Sequence, residues 1–398
     1  MLPPESTRLL DVQAAIRDRF RLYGFREVVT PALEYSEVIE EQGLRDASYK
    51  LFDQDNQMLL LRPEMTTPIA RVVAQRLAGS PEPHKLSYVL PAYRRASVGR
   101  GQSAELYQAG VEVVGSASPG EDAATIALLV DVLESLGLES PSDFAVVMGQ
   151  SAFYSGYLRH VVPRAAASVK AALAAKDLVA VDALARELPP DAAAGVRGIP
   201  RLVGPATEGS LMEEAERFAV GEDARAALEN LKEILRHLQA HGALDAVILD
   251  LGLIGRHDYY TGAIYEAYAS GLGFTIANGG RYDNLLKRFG KELPATGFAI
   301  YLERLLSVLS EEGLGPLLVL VGGDVDGIDA AARLREGGVP VLHLTEDLPP
   351  ETAVEYARSV EAAWISYPAA GGVKLATVES PGEFVFVDHS SVAKAVLP

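Results

Sequence analysis

The 398-residue sequence contains no cysteine. That excludes disulfides, thiolate metal sites and a cysteine nucleophile together, and it fits a reducing compartment, so the expected location is the cytoplasm. Basic residues are also in deficit. Lys and Arg number 36 against 54 Asp and Glu, a formal net charge of −18. A chain that neutralises phosphates along a nucleic acid needs a basic footprint. Extensive nucleic-acid binding is therefore disfavoured, with only a local basic groove left open. No run approaches the roughly 20 apolar residues of a membrane span. The first residues, Met1 to Glu5, have neither the basic n-region nor the apolar h-region expected of a secretory leader. There is no internal repeat and no low-complexity tail. The seven histidines are scattered. His237 and His241 lie four apart, but Leu238 stands where a zinc-binding HExxH helix needs glutamate, so no metal site is expected.

What the sequence does hold is an ordinary globular composition, 48% hydrophobic and 23% charged, long enough for two or three domains. Leu9, Leu10, Val12, Ile16 and Phe20 recur at helical spacing and predict an amphipathic helix over 7–23. Short strands are expected at 26–30 and 57–62, a helix at 67–77, an alternating strand at 105–114 and a helix at 120–136. From about 151 to 245 alanine is dense and the period helical, which reads as an insertion. Strands return at 246–250, 259–268 and 273–277, followed by a helical pattern at 282–289 and a strand passing into a helix over 295–310. The turn at Gly313 to Pro316 predicts a boundary, beyond which strands and helices alternate as in a small parallel α/β unit. The expected division is a core of 1–150 and 246–312, an insertion of 151–245, and a C-terminal domain of 313–398. In that last part Gly322 to Gly327 imitates a dinucleotide loop, but Asp324 replaces the central glycine, and an ordinary strand–helix turn is expected, with no cofactor.

Three segments carry polar residues in patterns that make pockets. In Tyr107 to Val113, alternate residues share a face. Gln108, Gly110 and Glu112 line one side, with amide and carboxylate about 13 Å apart at a rise of ~3.3 Å per residue. A bare glycine between them makes a plausible pocket floor, though a solvated strand face reads the same way. In Arg62 to Thr67, Pro63 ends a strand and places Glu64 and Thr66 at a helix entrance, where acids and threonines also serve simply as caps. Tyr259 and Tyr260, followed by Gly279, Gly280 and Arg281, offer aromatic faces and a cation, or else a strand with paired tyrosines and a turn.

In order and spacing these pieces resemble the class II histidyl-tRNA synthetase family: LRPEMT (61–66), YQAGVEVVG (107–115), DYYTGAIYE (258–266), GGRYD (279–283) and ATGFAIYLERL (295–305). The resemblance spans roughly residues 1–310, and the C-terminal part more loosely. It implies an α+β fold with an antiparallel sheet flanked by helices, a helical insertion, and a small C-terminal α/β domain akin to an anticodon-binding domain. It also implies a histidine pocket, with Glu64, Thr66 and Gln108 on the amino-acid backbone and Glu112 and Tyr260 on the imidazole. Arg94, Arg281 and Arg304 are candidate anion contacts. The chain departs from the family where ATP would sit. Ala96 stands for a glutamate, Gly255 for an arginine and Tyr301 for a small glycine, and the N-terminal Gly-Thr-Arg-Asp element is missing. A kept histidine half with a degraded ATP half resembles the branch of the family that serves as regulatory subunits of ATP phosphoribosyltransferase. That likeness implies a chain without catalysis of its own in the first step of histidine biosynthesis. It implies partnership with a short-form catalytic subunit, binding of free histidine with feedback inhibition as a candidate role, a homodimer within a hetero-oligomer, and no tRNA. A working synthetase is the alternative that Ala96, Gly255 and Tyr301 speak against, and a histidine-binding paralogue with another partner is a third.

Overall fold

A computed structural model describes the chain apart from residues 1, 4, 40, 78, 96–102, 255–259, 310–316, 347 and 397–398. The departures noted at Ala96 and Gly255, together with Asp258, Tyr259 and the turn at 313–316, lie outside the described residues. Two compact units are present, one of residues 13–309 and one of residues 310–398 with the first twelve.

The N-terminal amphipathic pattern forms the helix Glu5–Leu22, with Leu9, Val12, Ile16 and Phe20 buried. Leu10, expected on that stripe, faces water instead, because it falls one residue outside the i, i+3, i+4 row. Gly24 ends the helix in the left-handed region at φ +78°, where the Phe25 N–H returns to the Phe20 carbonyl.

Among the described residues the larger unit holds twelve strands: β1 (Arg26–Glu27), β2 (Leu33–Tyr35), β3 (Lys50–Phe52), β4 (Met58–Leu61), β5 (His84–Tyr93), β6 (Glu105–Val114), β7 (Phe144–Gln150), β8 (Val203–Pro205), β9 (Val247–Asp250), β10 (Ala263–Ala269), β11 (Thr275–Arg281) and β12 (Ala295–Tyr301). Nine form one sheet in the order β1-β5-β6-β12-β11-β10-β7-β9-β8, and β2-β4-β3 form a small second sheet. The large sheet is antiparallel except at β1–β5 and β7–β9. Three of its strands, β5, β7 and β8, have no counterpart in the sequence reading. Pro91 masks β5, since proline usually demotes a strand. It is tolerated here because β1 pairs only as far as Ser87, so no ladder donor is needed beyond that point.

Alternation sorts the sheet into two faces. Ala109, Val111, Val113, Phe298 and Ile300 are buried on one, where the Arg281 side chain meets Asp122 of the helix Pro119–Ser135. Gln108, Gly110, Glu112, Gly297, Ala299 and Tyr301 lie on the other, since Glu112 is opposite Gly297 and Gln108 opposite Tyr301. The stretch 151–245 is mostly helical, but it is not wholly an excursion. Val203–Pro205 returns as edge strand β8, and the helix Glu222–His241 buries Leu228, Leu231, Leu235 and Leu238. No described helix is long and apolar enough to cross a membrane.

The smaller unit has the strands β13 (Leu318–Val321), β14 (Val341–Leu344), β15 (Trp364–Ala369), β16 (Gly372–Thr377) and β17 (Val385–Asp388), in the order β14-β13-β15-β16-β17. The first three pair in parallel, as the alternating pattern predicts, but β16 and β17 pair antiparallel. Gly371, at φ +79°, turns the chain tightly between β15 and β16, so the sheet is mixed. Asp324 caps the helix Val325–Glu336 by accepting the Gly327 N–H at 2.9 Å, so the glycine-rich turn is an ordinary helix start.

The Arg281–Asp122 pair, N–O 2.9 Å with side chains 7% and 0% exposed, is the charge contact on which the sheet–helix packing rests. Asp122→Ala is expected to destabilise the protein by about 3 kcal/mol, because it removes the fully buried partner of the Arg281 guanidinium and leaves only the half-exposed Asp283 and backbone carbonyls to compensate it. Urea unfolding measures this, and a loss below ~1 kcal/mol, the size of a surface pair, contradicts it.

Candidate functional site

The polar face of the sheet opens into a cleft that is partly open to solvent. It is lined by Glu64, Thr66, Arg94, Gln108, Glu112 and Tyr260, together with Tyr88, Asn278, Tyr282 and Tyr301. All five residues expected to contact a histidine thus border one space, although they come from three separate stretches of chain.

The turn after β4 sets the first wall. Arg62 is buried, and its guanidinium donates to the carbonyls of Pro91 at 2.8 Å, Thr30 at 2.6 Å and Pro31 at 3.1 Å. Burial lowers its pKa, and the three carbonyls fix the turn that carries Pro63 and Glu64. Both Glu64 carboxylate oxygens accept the Thr67 N–H, at 3.0 and 3.1 Å, at the start of the helix Thr66–Val72. Glu64 therefore caps a helix and lines the cleft at once. Arg94 donates from Nε to the Pro63 carbonyl at 2.7 Å, which holds it against the same wall.

Glu112 lies at the floor, 1% exposed. The Tyr282 hydroxyl donates to Oε2 and Thr66 adds a second side-chain hydrogen bond. Burial outweighs both and, with the nearby Glu64 carboxylate, raises the Glu112 pKa to about 8. Its carboxyl group is thus a neutral acid at pH 7, ready to meet a base.

The glycines of this face decide where side chains can lie. A Cβ on Gly297 would collide with the Glu112 carboxylate, and one on Gly280 would sit 2.8 Å from the Tyr260 ring. The expectation that Gly110 leaves open room between Gln108 and Glu112 is corrected: the Tyr88 phenol, crossing from β5, occupies that space, its hydroxyl 2.5 Å from where a Cβ would be. Tyr88 is fully buried, and desolvation with the Glu112 and Glu64 charges raises its pKa well above the usual tyrosine value.

The arginines divide. Arg94 borders the cleft. Arg281 does not, because odd positions of β11 face away from it. Its guanidinium is engaged by Asp122, by Asp283 at 3.2 Å and by the Ser116 carbonyl at 3.0 Å. Arg304 is also turned aside. It donates to the Thr275 carbonyl at 2.7 Å and lies over the rings of Tyr301 and Phe274. Neither is an anion contact of the cleft. Tyr88, Asn278 and Tyr282 were missed by sequence reasoning. Tyr282 stands next to Arg281 in the GGRYD segment, so strand alternation could have turned it toward Glu112.

Comparison with known proteins gives four findings of likeness. The family model described as histidyl-tRNA synthetase matches residues 1–305. The ATP phosphoribosyltransferase regulatory subunit of Rubrobacter xylanophilus is 66% identical over 397 residues, covering 100% of this chain and 96% of that one. A crystal structure from Bacillus halodurans, described as an ATP phosphoribosyltransferase regulatory subunit/histidyl-tRNA synthetase, is 28% identical with a TM-score of 0.79, covering 92% of this chain and 95% of that one. The histidyl-tRNA synthetase of Nostoc, 21% identical with a TM-score of 0.81 over 99% and 96% of the two chains, shares the fold.

The raised Glu112 pKa has a sign that stability measurements can read. Between the usual value of 4.5 and about 8 the folded chain keeps this proton while the unfolded chain has lost it. The fold is therefore weakened as pH rises through that window, by up to about 1.4 kcal/mol per pH unit. Glu112→Gln, which cannot ionise, is expected to gain stability over the parent progressively from pH 5 to 8. A difference that stays constant across that range contradicts the assignment.

Proposed function

The chain belongs to the histidyl-tRNA synthetase family, in its branch of ATP phosphoribosyltransferase regulatory subunits, and from that membership we propose that it works as the non-catalytic subunit beside a short-form catalytic chain, with free histidine bound in the cleft. The observation that carries this reading is the division of the cleft. At one end Glu112, Thr66 and Tyr282 make a buried, hydrogen-bonded acid. At the other, where a nucleotide would need a low floor and free cations, Tyr301 stands on β12 and Arg304 is tied to Thr275.

In this reading the imidazole meets Glu112 and Tyr260, and the ammonium and carboxylate of histidine meet Glu64, Thr66, Gln108 and Arg94. A carboxyl facing an imidazole shares a proton with it and forms a charge-assisted hydrogen bond that the dry floor strengthens. The same chain does not activate histidine with ATP. A developing charge at the α-phosphate needs preorganised donors, and the sequence has Ala96 and Gly255 where the family has charged groups. The net charge of −18 speaks against tRNA as a partner. A second copy of the chain is proposed to cover the small sheet, where Leu33, Tyr35 and Leu51 stand exposed on one face.

A ligand site without chemistry of its own has a purpose only if binding shifts an equilibrium elsewhere, with a coupling of typically ~1–3 kcal/mol. The proposed second site is the catalytic chain's. When the two chains are purified together, phosphoribosyl transfer is expected to require this subunit and to fall about 5- to 150-fold on adding histidine. Full activity of the catalytic chain alone, failure to associate at micromolar concentration, or histidine-dependent ATP–pyrophosphate exchange by this chain would each overturn the proposal.

A further inference from the structure

Tyr301 closes the cleft at the Gln108 end. It is the last residue of β12 and lies opposite Gln108. On the same face of that strand, Gly297 and Ala299 keep the floor low, so the height changes abruptly at position 301. The ring is pinned on two sides. Its hydroxyl donates to Asn278 Oδ1 at 2.6 Å, across β11. The Arg304 guanidinium lies 4.4 Å from the ring centroid, and is itself held by the Thr275 carbonyl and the Phe274 ring 5.4 Å away. Each of these contacts uses side chains that line or flank the cleft, and together they fix a bulky wall where a flexible one would yield.

We infer that Tyr301 is the residue that sets the length of the ligand: the cleft accepts one free amino acid and rejects anything joined through its carboxyl group. The inference rests on the reading that histidine binds with its imidazole at Glu112. Gln108, about 13 Å from Glu112 along β6 at ~3.3 Å per residue, reaches back with its amide to the backbone end of the ligand, and the next group outward lies toward the Tyr301 ring. A free amino acid is thereby distinguished from its esters, amides and acyl phosphates by steric exclusion rather than by lost attraction.

The test uses the full chain and two ligands, histidine and its acyl-benzenesulfonamide. The latter keeps the negative charge at the carboxyl position and adds one ring beyond it. Calorimetry on the parent protein is expected to show at least about ten-fold weaker binding of the sulfonamide, as overpacking of a formed site implies. In Tyr301→Ala the gap between the two ligands is expected to close to within about three-fold, with the parent's circular-dichroism spectrum reporting a folded chain. Tyr301→Phe keeps the ring beneath Arg304 and keeps the discrimination. Equal binding of both ligands by the parent protein, or an undiminished gap in Tyr301→Ala, would overturn the inference while leaving the histidine reading intact. Binding of histidine to neither protein would overturn both.

Discussion

A single buried carboxyl group organises the cleft. Glu112 is out of water on the floor of a nine-stranded sheet, over the bare backbone of Gly297. An isolated carboxylate in such a place would be costly, and the chain answers by holding the group neutral, with a pKa of about 8, and by supplying hydroxyls from Tyr282 and Thr66. The surrounding arrangement follows from that constraint. The helix Thr66–Val72 must start where Thr66 reaches Glu112, and Arg62 fixes the start by gathering three carbonyls around the preceding turn.

Glycine makes this possible on three strands, β6, β11 and β12. Gly110, Gly280 and Gly297 carry no side chains, and Tyr88, Tyr260 and Glu112 lie in the spaces left. A methyl at any of the three would push a cleft residue out of place. The glycines thus act by admitting a neighbour's side chain rather than by freeing the backbone at Gly110 or Gly297. In the proposed reading, discrimination between ligands depends on two fixtures at opposite ends, the acid at Glu112 and the ring at Tyr301.

Much of this was legible in the sequence. Strand alternation put Gln108 and Glu112 on one face, and spacing placed Glu64 and Thr66 at a helix start. The family resemblance joined segments that no local pattern could bring together. What was not legible depended on neighbours in space. Gly110 reads as open floor until β5, hidden by Pro91, brings Tyr88 across it. Arg281 and Arg304 read as free cations until the helix at Asp122 and the rings of Tyr301 and Phe274 are seen to hold them. The C-terminal sheet reads as parallel until the turn at Gly371 reverses it.

The central claim is that Glu112 and a bound imidazole share one proton, and the pH dependence of histidine affinity tests it most directly. Free imidazole titrates near 6.5 and Glu112 at about 8. Between the two, acid and ligand together already hold one proton, and binding needs no exchange. Below that window a proton must leave, and above it one must be taken up, so affinity falls on both sides by up to about ten-fold per unit. Calorimetry from pH 5.5 to 9 is predicted to give a maximum between about 6.5 and 8, with the upper limb absent in Glu112→Gln, which has no carboxyl proton to lose. An affinity that rises steadily with pH, or identical profiles for the parent and Glu112→Gln, would contradict the account.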